Sequence, residues 1–134
     1  MGSKLVREVI SSREAPAPLG PYSQAVKIGN LCFVSGQVAI DPETGEKTPG
    51  GVEAETRRIL ENIERILEAA GSSLGQVAKV TVFLRDMRDY PEMNRVYERF
   101  FPRDPPARTT VQAAPPKDFN VEMDVIAYIG GEEG

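Results

Sequence analysis

No histidine and no tryptophan occur in the 134 residues, and cysteine occurs once, at Cys32. The missing histidine excludes a histidine-based triad, a histidine zinc ligand and an imidazole proton shuttle. Acid–base chemistry therefore falls to Asp, Glu, Tyr, Lys or a bound water, and electrophilic stabilisation to Arg, Lys or backbone amides. A lone thiol forms no intrachain bridge, which suits a reducing, cytoplasmic compartment. No run approaches the ~20 apolar residues that span a bilayer, and the opening MGSKLVREVI carries charges where a signal peptide needs an apolar stretch. Basic clusters are missing too. With 16 Lys and Arg against 20 Asp and Glu the formal charge is -4, which weighs against a nucleic-acid partner because phosphate binding draws on grouped Lys and Arg.

What is present supports one domain over 1–134. Hydrophobic residues make up 40% of the chain, and a chain of this length buries roughly two-thirds of its unfolded surface without needing disulfides or metal. The Gly-Gly-Glu-Glu-Gly tail at 130–134 is expected to fray.

From Val52 to Ala70, Thr56, Ile59, Leu60, Ile63, Ile66, Leu67 and Ala70 recur at the spacing of an amphipathic helix. Glu55, Arg58, Glu61, Glu64, Arg65 and Glu68 fall on its expected polar face, and Gly71 offers a left-handed stop. A shorter helix fits Pro91 to Phe101, with Met93, Val96, Tyr97 and Phe100 on one side. Strand-like runs cover Lys4–Ile10, Ala25–Ile28, Leu31–Ser35, Ala78–Leu84, Thr109–Ala113 and Asn120–Ile129. Six strands and two helices make an α+β plan, with Gly29-Asn30 as a two-residue hairpin turn in which both residues tolerate positive φ. The last strand alternates Val121, Met123, Val125, Ala127 and Ile129 against Glu122, Asp124, Ile126 and Tyr128. Ile and Tyr among acids suit a face that meets another subunit or a cleft.

Three groups offer chemistry: Gly20-Pro21-Tyr22-Ser23-Gln24, Ser35-Gly36-Gln37, and Pro106-Ala107-Arg108-Thr109-Thr110 followed by Glu122. Each also has a plain reading. Gly20-Pro21 is a turn by composition, Ser35-Gly36 fits a strand bulge with close backbone approach, and most arginines and glutamates are solvated or ion-paired. The functional reading is more specific: the planar fork of Arg108 can grip a small carboxylate, Glu122 or Asp124 can position a water, and the Tyr22 hydroxyl can donate or accept.

Taken in order, Gly20-Pro21-Tyr22, Ser35-Gly36-Gln37, Glu68-Ala69-Ala70-Gly71, Asn94 with Tyr97-Glu98 and Phe100-Phe101, Pro106-Ala107-Arg108 and Val121-Glu122-Met123 resemble the RidA (YjgF) family of reactive-intermediate deaminases. The resemblance covers nearly the whole chain. It implies a chorismate-mutase-like α+β subunit, a six-stranded mixed sheet backed by two helices, and a homotrimer with sites in clefts between subunits. It further implies that Arg108 binds the carboxylate of a 2-imino acid and that Glu122 helps hold the attacking water. Tyr22, Ser35, Gly36 and Asn94 would line the same cleft, some from the neighbouring subunit. Thr110 stands where many members carry Cys, so any thiol role there would be lost, whereas Cys32 on its apolar strand reads as core.

The activity so implied is cofactor-free hydrolysis of 2-iminopropanoate and 2-iminobutanoate to 2-keto acids and ammonia, resting on positioning and charge. Two other readings stay open. One is an RNA-cleaving or translation-inhibiting protein, attributed to some members of the family; the other is a non-catalytic ligand-binding or chaperone-like trimer, as in related folds that lack the arginine.

Overall fold

The apolar stripe of the long helix forms the centre of the core. In the computed structural model, which describes residues 5–130, the elements run β1 (Arg7–Ile10), β2 (Ala25–Ile28), β3 (Leu31–Gln37), α1 (Gly51–Ala70), β4 (Val77–Leu84), α2 (Tyr90–Phe100), β5 (Ala107–Gln112) and β6 (Val121–Tyr128). Single 3-10 turns at Leu74–Gln76 and Met87–Asp89 lead into β4 and α2. On α1, Ile59, Leu60, Ile63, Ile66 and Leu67 are 0% exposed, each burial contributing about 2 kcal/mol. Gly71 ends α1 at φ 84, with the Ser72 amide donating to the Leu67 carbonyl at 2.8 Å.

One sheet of six strands, in the order β1-β2-β3-β6-β4-β5, carries both helices on one face. Neighbours pair antiparallel except β4 and β5, which are parallel and joined through α2. The α+β plan, the six strands and the two helices are thus as the sequence predicts, with ends moved by one to three residues. Lys4 of the first expected strand and 131–134 of the expected frayed tail lie outside the described residues. Gly130 is tied down, its carbonyl accepting from Gln76 Nε2 at 2.8 Å. At the Gly29-Asn30 hairpin only Gly29 takes a positive φ, 58°.

Glu55 corrects the helix reading. Rather than facing solvent it is wholly buried: Oε1 accepts from the amides of Asn120 at 2.8 Å and Val121 at 3.2 Å, Oε2 from Asn120 Nδ2 at 2.8 Å, and Lys47 Nζ stands 3.7 Å away. The segment entering β6 presents amides at the first turn of α1, and only an acceptor can satisfy them there. Asn62, two turns on along the same line, is also buried and donates to the Ile40 carbonyl at 2.9 Å. Phe100 packs half-buried against the core on the expected side of α2, and Phe101, just past its end, is buried with its ring 4.8 Å from that of Tyr97.

The other face of the sheet is open. Val9, Val26, Phe33 and Ile126 pair strand to strand across it, and Val9, Leu31, Phe33 and Tyr128 are each more than two-fifths exposed. The alternation expected of β6 holds: Val121, Met123, Val125 and Ala127 face the helices while Glu122, Asp124, Ile126 and Tyr128 face outward. Cys32 is fully buried, as a core residue. Among the described residues no helix is long and apolar enough to cross a membrane.

Candidate active site

Parallel pairing of β4 and β5 forces the chain to return across the sheet, and α2 makes that crossing above β5. Arg108 is in register with Val80, which is fully buried under the helices, so its side chain rises on the helix face. There Nη1 donates to Asn94 Oδ1 and Nη2 to the Tyr90 hydroxyl, both at 2.9 Å. The guanidinium carbon lies 4.6 Å from the ring centre of Tyr97 and 5.4 Å from that of Tyr90. Two donors are committed to fixing the fork, and the rest open into a cleft of about 390 Å³ between α2 and the Pro-rich loop at Pro105-Pro106. The Tyr97 hydroxyl is buried there with no hydrogen-bond partner among the described residues, and burial pushes its pKa up against the opposing charge of Arg108. Thr110, one β-repeat beyond Arg108, has a buried hydroxyl with no partner among the described residues and lines neither this cleft nor the next.

The second cleft, about 610 Å³, forms where β3 bulges. Between the pairs Val34↔Val125 and Gln37↔Met123 β3 carries one more residue than β6, so Ser35 and Gly36 break the ladder. The plain reading of that dipeptide, a bulge with close backbone approach, is therefore what the chain does. A Cβ at 36 would meet the Glu122 carboxylate, so glycine there lets that acid lie against the bulge, although its φ is not positive. Ser35 donates its hydroxyl proton to the Ser23 carbonyl at 2.6 Å. Buried Gln24 shapes the preceding loop, donating to the Pro16 carbonyl at 2.8 Å and accepting from the Ser12 amide at 2.6 Å. Tyr22 accepts from the Leu19 amide at 3.1 Å and keeps its own proton to offer.

Glu122 pairs with Phe83 on β4 and so faces away from the helices. Burial first, and the negative charge of Asp124 second, raise its pKa above the ordinary glutamate range. Asp124 is also raised by burial, with Thr81 and Lys79 opposing. A carboxylate with a raised pKa is suited to taking and returning a proton.

The expected site residues thus fall into two sets. Arg108 and Asn94 line the helix-side cleft; Tyr22, Ser35, Gly36 and Glu122 line the cleft on the open face. Sequence reasoning missed Tyr90, whose spacing of four and seven residues from Asn94 and Tyr97 puts all three on one helix face. It also missed Leu19, Val38, Pro116 and Lys117 on the open-face cleft; of these only Lys117 carries a backbone signal, a φ of 58° that no sequence pattern announces. Among the described residues no three His, Cys, Asp or Glu side chains gather as metal ligands would.

A family model described as "Endoribonuclease L-PSP" matches residues 12–129. A RutC family protein of Pyrococcus abyssi is 51% identical over 125 residues, covering 92% of this chain and 98% of its own. A 2-iminobutanoate/2-iminopropanoate deaminase of Mus musculus is 44% identical over 129 residues, covering 96% of each. The crystal structure of the YjgF gene product of E. coli superposes with a TM-score of 0.86 at 42% identity, covering 90% of this chain and 98% of that one. With the Arg108 fork, the Gly36–Glu122 approach and likeness over nearly the whole length together, the chain belongs to the RidA (YjgF) family.

Proposed function

We propose that this protein hydrolyses short 2-imino acids, such as 2-iminopropanoate and 2-iminobutanoate, to 2-oxo acids and ammonia, in clefts completed between the subunits of a homotrimer. The observation that carries the reading is the Arg108 guanidinium, fixed by Asn94 and Tyr90 with donors left over, the geometry that grips a carboxylate through parallel hydrogen bonds. The names of relatives at 44–46% identity, 2-iminobutanoate/2-iminopropanoate deaminase, support it further.

Arg108 of one subunit anchors the substrate carboxylate, and Glu122 of its neighbour faces the imine carbon through a water. The water oxygen bonds to C2 as Glu122 takes one of its protons, and the C=N electron pair moves to nitrogen. Glu122 returns the proton to that nitrogen, giving a carbinolamine; Glu122 then passes the hydroxyl proton to the amine, and as the C–N bond breaks the pair on oxygen forms the C2 carbonyl and ammonia leaves. Imines already hydrolyse in water, so positioning and charge suffice without histidine. The open sheet face with Phe33, Ile126 and Tyr128 is where a second copy would pack.

The test generates 2-iminobutanoate in situ and follows 2-oxobutanoate release under semicarbazide competition. Wild type accelerates release, and Arg108→Ala loses about a hundredfold in kcat/KM, the equivalent of about 3 kcal/mol of charge-assisted anchoring. Equal rates for the two proteins refute the anchor; no acceleration by wild type refutes the activity.

A further inference from the structure

The connection from β5 to β6, residues 113–120, forms one wall of the Glu122 cleft through Pro116 and Lys117. It has little hydrogen bonding of its own: the Phe119 amide reaches the Pro116 carbonyl at a long 3.3 Å. Its carbonyls converge instead on Arg85, just past the end of β4. Nε donates to the Phe119 carbonyl at 3.0 Å, and Nη2 to those of Pro115 at 3.0 Å and Lys117 at 2.8 Å. The Arg85 amide also donates to the Asn120 carbonyl at 2.9 Å. From the far side Lys47 Nζ donates to the Asp118 carbonyl at 2.9 Å, and Glu55 takes the amides of Asn120 and Val121.

Lys117 sits at φ 58°, a left-handed conformation that a lysine adopts only where its surroundings impose it. In that conformation the Lys117 carbonyl accepts from Arg85. Arg85 itself lines neither site cleft.

We propose that Arg85 is a positioning residue for the acid-bearing cleft: by gathering the Pro115, Lys117 and Phe119 carbonyls it sets how far the Pro116–Lys117 wall stands from Glu122, and thereby which imino-acid side chains fit. The inference rests on the imine-hydrolysis reading. With Leu19 and Val38 also lining the cleft, the wall makes a partly apolar slot for the substrate side chain. A planar fork suits the task, since a lysine is a single point charge on a flexible stem and does not span three carbonyls.

The experiment compares wild type, Arg85→Ala and Arg85→Lys as full-length oligomers. Arg85→Ala is expected to raise KM for 2-iminobutanoate about tenfold with kcat within about twofold of wild type, the mark of lost binding rather than lost chemistry. Its preference for 2-iminobutanoate over the longer 2-imino-4-methylpentanoate falls about fivefold as the wall loosens. A readout independent of activity is tryptic cleavage after Lys117 in the native protein, expected to be about tenfold faster in the variant as local opening becomes easier. Arg85→Lys should lie between the two in KM, and carries the test should the alanine variant not fold. An active wild type beside variants with unchanged KM and preference overturns the proposal, even where cleavage at Lys117 rises. A wild type inactive on every imine overturns the function itself, and this inference with it.

Discussion

Arg108 and Glu122 stand on opposite faces of one sheet: Arg108 is in register with buried Val80 beneath the helices, whereas Glu122 pairs with outward-facing Phe83. On the proposed reading, a single chain therefore does not bring both groups to one substrate. If adjacent subunits complete each cleft, Arg108→Ala and Glu122→Gln chains, each inactive alone, recover activity when unfolded and refolded together. Random assembly into closed rings gives about a quarter of the clefts both native groups. Activity that stays at the level of the separate variants would refute the shared cleft.

Gly36→Ala separates activity from stability. The added Cβ meets the far end of the Glu122 side chain, which can swing aside, and the backbone at 36 is not in the left-handed region. The melting temperature is expected to change by only a few degrees, while displacement of the carboxylate lowers kcat about tenfold or more, about 1.4 kcal/mol in the barrier. A variant of wild-type rate would show that the acid need not lie against the bulge.

The acid limb of the pH–rate profile should lie above the ordinary glutamate range, because burial and then Asp124 raise Glu122. Asp124→Asn removes the second cause, so the limb is expected to move to lower pH. Stability has its own sign. Both acids bind protons more tightly when folded, so the stability they contribute is complete below the unfolded carboxylate range and is lost as pH rises through the raised folded-state values. In Asp124→Asn that loss should shrink, as read from urea midpoints across pH.

Glu55→Ala leaves the Asn120 and Val121 amides buried without an acceptor and is expected to cost about 3 kcal/mol in urea unfolding. Glu55→Gln keeps one oxygen and should cost about 1 kcal/mol. Equal small costs for both would mean that water replaces the carboxylate.

The sequence made the frame legible where period alone decides it. The α1 stripe and the alternation of β6 announce their buried faces. Glu55 was misread because residue type was weighed above position: it stands three residues after Val52 and four before Ile59, the spacing of the stripe itself. Motif order makes Arg108, Glu122 and Gly36 candidates, yet that order says nothing of which sheet face each occupies, because the face follows from registers formed with a strand distant in sequence. Tyr90 and Arg85 escaped notice for a related reason. Each makes a contact, with Arg108 and with the loop before β6, that no local pattern encodes.

The parallel β4–β5 pair also bears on the order in which the molecule assembles. Arg108 meets Asn94 and Tyr90 across 14 and 18 residues, a loop short enough to close early. The acid-bearing cleft draws on residues 19 to 122 and is complete only when β3 docks against β6. Loop-closure entropy thus favours a folding nucleus of β4, α2 and β5, so that truncations on α2 such as Val96→Ala should slow refolding, while truncations on β2 such as Val26→Ala should mainly hasten unfolding.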